Sequence, residues 1–68
     1  MEIFCTRIKE LRLESGLTQK QTAEKLNTTN SAVCDWEKGR TQPDLETLKN
    51  IAKLFDCSVD YLLGISND

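Results

Sequence analysis

The stretch that decides the fold is TQKQTAEKLNTTNSAVCDWEKGR, residues 18–40. Thr18, with Gln21 three residues later, forms a capping box, which predicts that a helix begins after Thr18. Asn27 ends this helix, because Asn tolerates a positive φ better than most residues do. The helix is short, and its predicted inward face consists of Thr22, Ala23 and Leu26.

A second helix follows almost at once. Thr29 is another capping side chain, and Gly39 is the residue type that commonly ends a helix. Val33 and Trp36 lie three residues apart, a spacing that places both on the inward face. The residues left on the outer face are small or polar: Asn30, Ser31, Cys34 and Asp35.

The connection between these two helices is very short. Only Asn27 and Thr28 separate them, so they must cross at a steep angle rather than lie antiparallel. Such a crossing needs a small residue where the backbones approach, and Ala23 provides it. Val33 and Trp36 provide the apolar side chains that face back toward the first helix. The pattern is that of a helix-turn-helix.

The rest of the chain is also helical in pattern. Apolar spacing predicts a helix from about residue 3 to residue 15, ended by Gly16. Asp44 caps a fourth helix, and Ser58 caps a short fifth helix that Gly64 closes. The fourth helix has an apolar stripe of Leu45, Leu48, Ile51, Ala52 and Phe55. We therefore predict an all-α fold of five short helices.

Length and composition limit the possible classes of protein. At 68 residues the chain forms one domain, which we place at residues 1–64. Residues 65–68 form a short tail with too little apolar content to order itself. The chain has no apolar run long enough to span a membrane and no signal peptide, so we expect a cytoplasmic protein. The formal net charge of −2 lacks the basic excess that usually accompanies nucleic-acid binding.

The composition argues against an enzyme. There is no His, no glycine-rich phosphate loop, no metal cluster and no Ser or Cys with a suitable base. The three cysteines, Cys5, Cys34 and Cys57, are an odd number without a close pair, which indicates neither a disulfide framework nor a metal site. Cys5 and Cys57 are interpreted as packing residues, and we expect no cofactor.

Nearly the whole chain resembles the lambda repressor/Cro-like helix-turn-helix regulators. The resemblance rests on GLTQ, AEKL, WEKG, the single Pro before DLETL, and VDYLLG. It implies a helix-turn-helix domain that binds double-stranded DNA with its third helix in the major groove. It also implies that Arg12 and Glu37 form a partly buried ion pair that locks the third helix in place.

The resemblance and the chemistry of the side chains together predict the DNA-binding residues. Gln19 matches the family's Gln that contacts a phosphate and braces the recognition helix. Asn can bond adenine bidentately, and Ser can bond several bases. Helix N-termini suit phosphates, and basic residues after the third helix would meet them as well. The predicted set is Gln19, Thr29, Asn30, Ser31, Asp35, Lys38 and Arg40.

Two residues on the outer face of the third helix allow more than one interpretation. Asp35 could accept a hydrogen bond from the cytosine N4 amino group, or it could be a surface acid paired with Lys38 three residues later. Cys34 could be a redox-sensitive thiol on the binding face. The absence of a fixed basic neighbour favours a small surface residue instead.

The leading functional hypothesis is a sequence-specific repressor that binds a palindromic operator as a dimer. Dimerisation through the fifth helix and the tail is predicted from surplus apolar residues: Val59, Tyr61, Leu62, Leu63 and Ile65. The alternative is a protein-interaction module, such as an antitoxin or an assembly factor, that keeps the fold without reading DNA. A steep fall of DNA affinity with salt would distinguish the two.

Overall fold

A computed structural model describes residues 2–67. Within this range the chain forms five α-helices and no strand, as the sequence predicts. Their bounds are α1 Glu2–Glu14, α2 Gln19–Leu26, α3 Asn30–Lys38, α4 Leu45–Leu54 and α5 Val59–Leu63. The predicted domain and tail also include positions 1 and 68, which lie outside the described residues.

Side-chain caps begin four of these helices. The Thr18 hydroxyl accepts a hydrogen bond from the backbone N–H of Gln21, whose side chain bonds back to Thr18 N–H at 2.9 Å. Thr29, Asp44 and Ser58 cap α3, α4 and α5 in the same way, each by accepting from the N–H three residues later. All four predicted caps are confirmed, because capping depends only on neighbouring residues.

One core holds the helices together. α1 packs against α3 and α5, α2 packs against α3 and α4, and α4 packs against α5. The largest side chains in the core come from different helices, so no single pair of helices could bury it alone. The buried apolar residues are Phe4, Ile8, Ala23, Leu26, Val33, Trp36, Leu48, Ile51, Ala52 and Leu62.

The predicted apolar stripe of α4 is wrong at one end. Leu45 is 85% exposed, whereas Leu48, one turn later, is buried. The periodicity assigns Leu45 to the inward face, but burial on α4 begins only at Leu48. A periodic pattern within one helix has no information about where the packing against other helices ends.

The tail is attached to α1 by Arg7. Its guanidinium lies 4.1 Å from the centre of the Tyr61 ring and donates hydrogen bonds to the backbone carbonyls of Tyr61 and Ser66. It also donates to Oδ1 of Asn67 at 3.3 Å. The expectation that the tail cannot order itself for lack of apolar residues overlooked these polar contacts, which hold residues 66 and 67 against α1.

Candidate nucleic-acid interface

The turn between α2 and α3 has the geometry that the sequence predicts. Asn27 adopts the left-handed conformation, with φ 57° and ψ 45°. The N–H of Thr28 donates to the carbonyl of Ala23 at 2.9 Å, which closes the end of α2. Ala23 is buried against the rest of the core. The chain therefore turns within the three residues between α2 and α3, and the two helices pack directly against each other.

α3 divides into a buried face and an exposed first turn. Val33 is completely buried and Trp36 is 5% exposed, so these two side chains anchor the helix to the core. At the N-terminal end of the helix, the exposed residues are Thr29, Asn30 and Ser31. The helix therefore presents short polar side chains to solvent from a rigidly held backbone. Such a helix end has the dimensions to enter a major groove about 12 Å wide.

A buried network fixes α3 to α1 and α2. Nε of Arg12 lies 2.6 Å from Oε2 of Glu37, and the side chains are only 10% and 4% exposed, respectively. A second bond joins Nη2 of Arg12 to Oε1 of Glu37 at 3.1 Å, so the contact is bidentate. The hydrogen bond to Glu37 raises the pKa of Arg12, and this outweighs the lowering effect of burial. The predicted ion pair is confirmed.

The same network includes a residue of the predicted DNA-binding set. Nε2 of Gln19 donates to Oε1 of Glu37 at 3.2 Å, and Nη1 of Arg12 donates to the carbonyl of Leu17 at 2.9 Å. Gln19, at the start of α2, is thus tied to the end of α3. This link supports the bracing role that the resemblance implies for Gln19. Apart from the resemblance, the sequence contains no signal for the Gln19–Glu37 bond, because 18 residues separate its partners.

The acid on the outer face of α3 does not have the partner that its spacing suggests. The sequence allowed Asp35 to pair with Lys38, but the structure places Nη1 of Arg40 at 3.8 Å from Oδ1 of Asp35. The described ion pairs include none between Asp35 and Lys38. The left-handed turn at Gly39, with φ 75°, carries the chain back beside α3 and brings Arg40 toward Asp35. Lys38 is exposed near the same end of the helix.

The three cysteines are partly buried, and none of them forms a disulfide within residues 2–67. Cys57 is among the partly buried residues that pack against the core, which agrees with its interpretation as a packing residue. Its burial, and to a smaller degree the neighbouring Asp56 carboxylate, raise the pKa of the Cys57 thiol. A raised pKa disfavours the reactive thiolate, so the surroundings of Cys57 make it a poor nucleophile.

The predicted dimerisation set needs a correction. Leu62 is completely buried in the core of its own domain, so it is not available to a second copy. Val59, Tyr61 and Leu63 are partly buried, and only Ile65 is largely exposed, at 72%. Counting apolar residues overestimated the surplus, because α5 is one of the helices that complete the small core.

The comparison with protein families decides the classification. A family model described as Helix-turn-helix matches residues 8–62, which cover all of α2, α3 and α4. This chain belongs to the helix-turn-helix family. The family consists of transcriptional regulators rather than enzymes, and it is the lambda repressor-like family that the sequence motifs indicate.

Curated relatives agree with this assignment. The chain is 45% identical over 58 residues to the HTH-type transcriptional regulator ImmR of Bacillus subtilis (strain 168), covering 85% of this chain and 46% of ImmR. It is 41% identical over 58 residues to the immunity repressor protein of Bacillus phage phi105, covering 85% of this chain and 40% of that repressor. The chain thus spans less than half the length of these two relatives.

A solved structure confirms the fold. The P22 c2 repressor, in a crystal structure with a synthetic operator, superposes with a TM-score of 0.85 at 29% sequence identity. The match covers 91% of this chain and 94% of the P22 chain.

Within residues 2–67, every helix is too short or too polar to span a membrane.

Proposed function

We propose that this chain binds double-stranded DNA sequence-specifically, with the N-terminal turn of α3 in the major groove, and represses transcription from a palindromic operator as a dimer. The observation that carries this proposal is the exposed first turn of α3 on a helix whose other face is buried. Asn30 and Ser31 are exposed, while Val33 and Trp36 hold the backbone in place. The structure of a repressor with the same fold was solved with a synthetic operator. A relative of this chain, from Bacillus phage phi105, is an immunity repressor.

Each predicted DNA-binding residue has a role in this proposal. Asn30 and Ser31 contact base edges, Asn with a preference for adenine. Gln19 and Thr29 lie at the starts of α2 and α3, where helix dipoles and free N–H groups favour phosphates. Lys38 and Arg40 contact phosphates at the other end of α3. Asp35 lies between these two groups and is treated separately below.

The proposed dimer uses the apolar surface that remains exposed around the end of α5. Ile65 is 72% exposed and Ile3 is 42% exposed. The two lie close in the fold, because Ile3 packs against Gly64: a Cβ built on that glycine would lie 2.8 Å from Cγ2 of Ile3. Val59, Tyr61 and Leu63 contribute at the margin, without Leu62. Two copies would then read half-sites about 34 Å apart on one face of the DNA.

The test is selection of bound sequences from a random duplex library at two salt concentrations. We expect a palindromic consensus with two half-sites one helical turn apart, and an affinity that falls steeply with salt. Asn30→Ala should lose the preference at one base position in each half-site. The matched control, Lys20→Ala on exposed α2 surface outside the proposed set, should keep the consensus. No enrichment at low salt would contradict DNA binding and favour the protein-interaction module.

A further inference from the structure

The turn after α3 builds a contact between two residues of opposite charge on the proposed DNA-facing surface. The N–H of Arg40 donates to the carbonyl of Asp35 at 2.9 Å, so the backbone places the two residues side by side. The nearest guanidinium nitrogen of Arg40 then lies 3.8 Å from the Asp35 carboxylate. The side chain of Arg40 is 67% exposed and that of Asp35 is 36% exposed, so Arg40 can leave the contact without disturbing the core.

This contact has a consequence for DNA binding. Affinity for DNA of any sequence comes mainly from cationic side chains that neutralise phosphates. If Arg40 contacts a phosphate, it must give up much of its interaction with Asp35. The Asp35 carboxylate would then face the groove without its cation, where the phosphates repel it. The phosphate contact of Arg40 thus strengthens DNA binding, whereas the unpaired carboxylate of Asp35 weakens it.

We propose that Arg40 and Asp35 act as a coupled pair that weakens binding to non-matching DNA and thereby sharpens sequence selection. In the free protein Arg40 partly neutralises Asp35. On DNA, Arg40 moves to a phosphate, and the exposed carboxylate is stabilised only where a cytosine amino group donates to it. Asp35 is therefore a specificity-determining residue. The loss of its ion pair with Arg40 determines how much DNA affinity is lost when the carboxylate enters the groove. This inference rests on the DNA-binding function proposed above.

The pair predicts non-additive effects, which two unrelated surface charges would not produce. Asp35→Asn removes the carboxylate and keeps the size of the side chain. It should raise affinity for a duplex without the consensus about two- to fivefold, the range expected from one exposed charge pair. It should lower affinity for a selected operator that has cytosine at the contacted position. The ratio of the two affinities, which measures specificity, should therefore fall.

The experiment is a double-mutant cycle of Asp35→Asn and Arg40→Gln, measured by fluorescence anisotropy on both duplexes at several salt concentrations. We expect Arg40→Gln to weaken non-consensus binding up to about fivefold more in the Asp35→Asn background than in the natural sequence. The slope of log affinity against log salt concentration should change in the same way. Arg40 should contribute about 0.9 to the magnitude of this slope in the Asp35→Asn background and less when Asp35 is present.

Lys38 supplies the matched control. It is a cation at the same end of α3, three residues from Asp35, but no ion pair joins it to that residue. A parallel cycle of Asp35→Asn and Lys38→Gln should be additive. Additive effects in the Arg40 cycle, or equal coupling in both cycles, would overturn the paired mechanism while leaving DNA binding intact. Failure of the natural sequence to bind any duplex at low salt would overturn the proposed function and, with it, this inference.

Discussion

The Arg12–Glu37 and Arg40–Asp35 pairs both connect an arginine to a carboxylate on α3, but their surroundings differ. The first has a closest contact of 2.6 Å, side chains that are 10% and 4% exposed, and additional hydrogen bonds to Leu17 and Gln19. The second has a distance of 3.8 Å and side chains that are 67% and 36% exposed. Water screens the second pair and not the first, so we assign the first to stability and the second to binding.

The largest expected effect follows from breaking the buried pair. Arg12→Ala leaves the Glu37 carboxylate buried without its cation, which should lower the free energy of unfolding by about 3–5 kcal/mol. Urea denaturation followed by circular dichroism measures the loss. Arg40→Ala is the matched control and should change the same quantity by less than about 1 kcal/mol. Equal midpoints for Arg12→Ala and the natural sequence would refute the structural role of this pair.

A smaller effect should follow when both partners of the buried pair are replaced together. The double variant Arg12→Met with Glu37→Met leaves no charge unpaired and fills the site with apolar atoms. We expect it to be more stable than either single variant by at least about 1 kcal/mol. The double variant should remain less stable than the natural sequence, because the Leu17 carbonyl and the Gln19 amide lose their hydrogen-bond partners. A double variant that loses the sum of both single effects would show that the two residues are not coupled.

The N-cap of α4 tests whether exposure by itself makes a carboxylate unimportant for stability. Asp44 is exposed, like much of the Arg40–Asp35 pair, but its Oδ1 accepts the N–H of Thr47 at 2.8 Å. Hydrogen bonds from the side chain and backbone of Thr47 lower the pKa of Asp44 in the folded state. Its stabilising effect is therefore complete above the pKa of the unfolded chain, about 3.9, and is lost as pH falls through the lower folded value.

Replacement by Asn separates the charge of Asp44 from its capping role. Asn is about as good an N-cap as Asp but does not titrate. We expect the Tm of Asp44→Asn to be close to that of the natural sequence at pH 7 and to fall less on acidification to pH 3. Asp44→Ala should have a lower Tm at pH 7. An identical acid response in Asp44→Asn and the natural sequence would contradict the lowered pKa.

The smallest expected effect on stability belongs to the exposed pair. Asp35→Asn and Arg40→Gln should each change the free energy of unfolding by less than about 1 kcal/mol. Thermal melts at low and high salt provide the measurement. A loss as large as that of Arg12→Ala would mean that this pair is part of the stabilising framework, and the contrast between the two pairs would no longer hold.

Much of the interface could be predicted because its signals are local. A capping side chain bonds to an N–H three residues away, so Thr18 and Thr29 could be recognised from the sequence alone. Asn27 and Gly39 adopt the left-handed conformations that their residue types favour. The pair of Arg12 and Glu37 lies 25 residues apart, and only the resemblance to a known family made it predictable.

The errors share one physical cause. Contacts with another part of the chain determine whether Leu45 and Leu62 are buried. They also determine which cation pairs with Asp35. Apolar spacing placed Leu45 inside, but its side chain is 85% exposed in the folded chain. Helical spacing allowed Lys38 as a partner of Asp35, but the chain reverses at Gly39 and brings Arg40 there instead. Periodicity within one helix cannot report contacts that arise beyond its end.

The sequence by itself determined the helices, their caps and the left-handed turn after α2, because each depends on residues within about one turn of one another. The tertiary structure decided which arginine meets which carboxylate, how deeply each pair is buried, and that Arg7 holds the tail against α1. These features depend on distances between separate elements. Burial then sets the strength of each charge pair, because removing water is what makes an electrostatic contact strong.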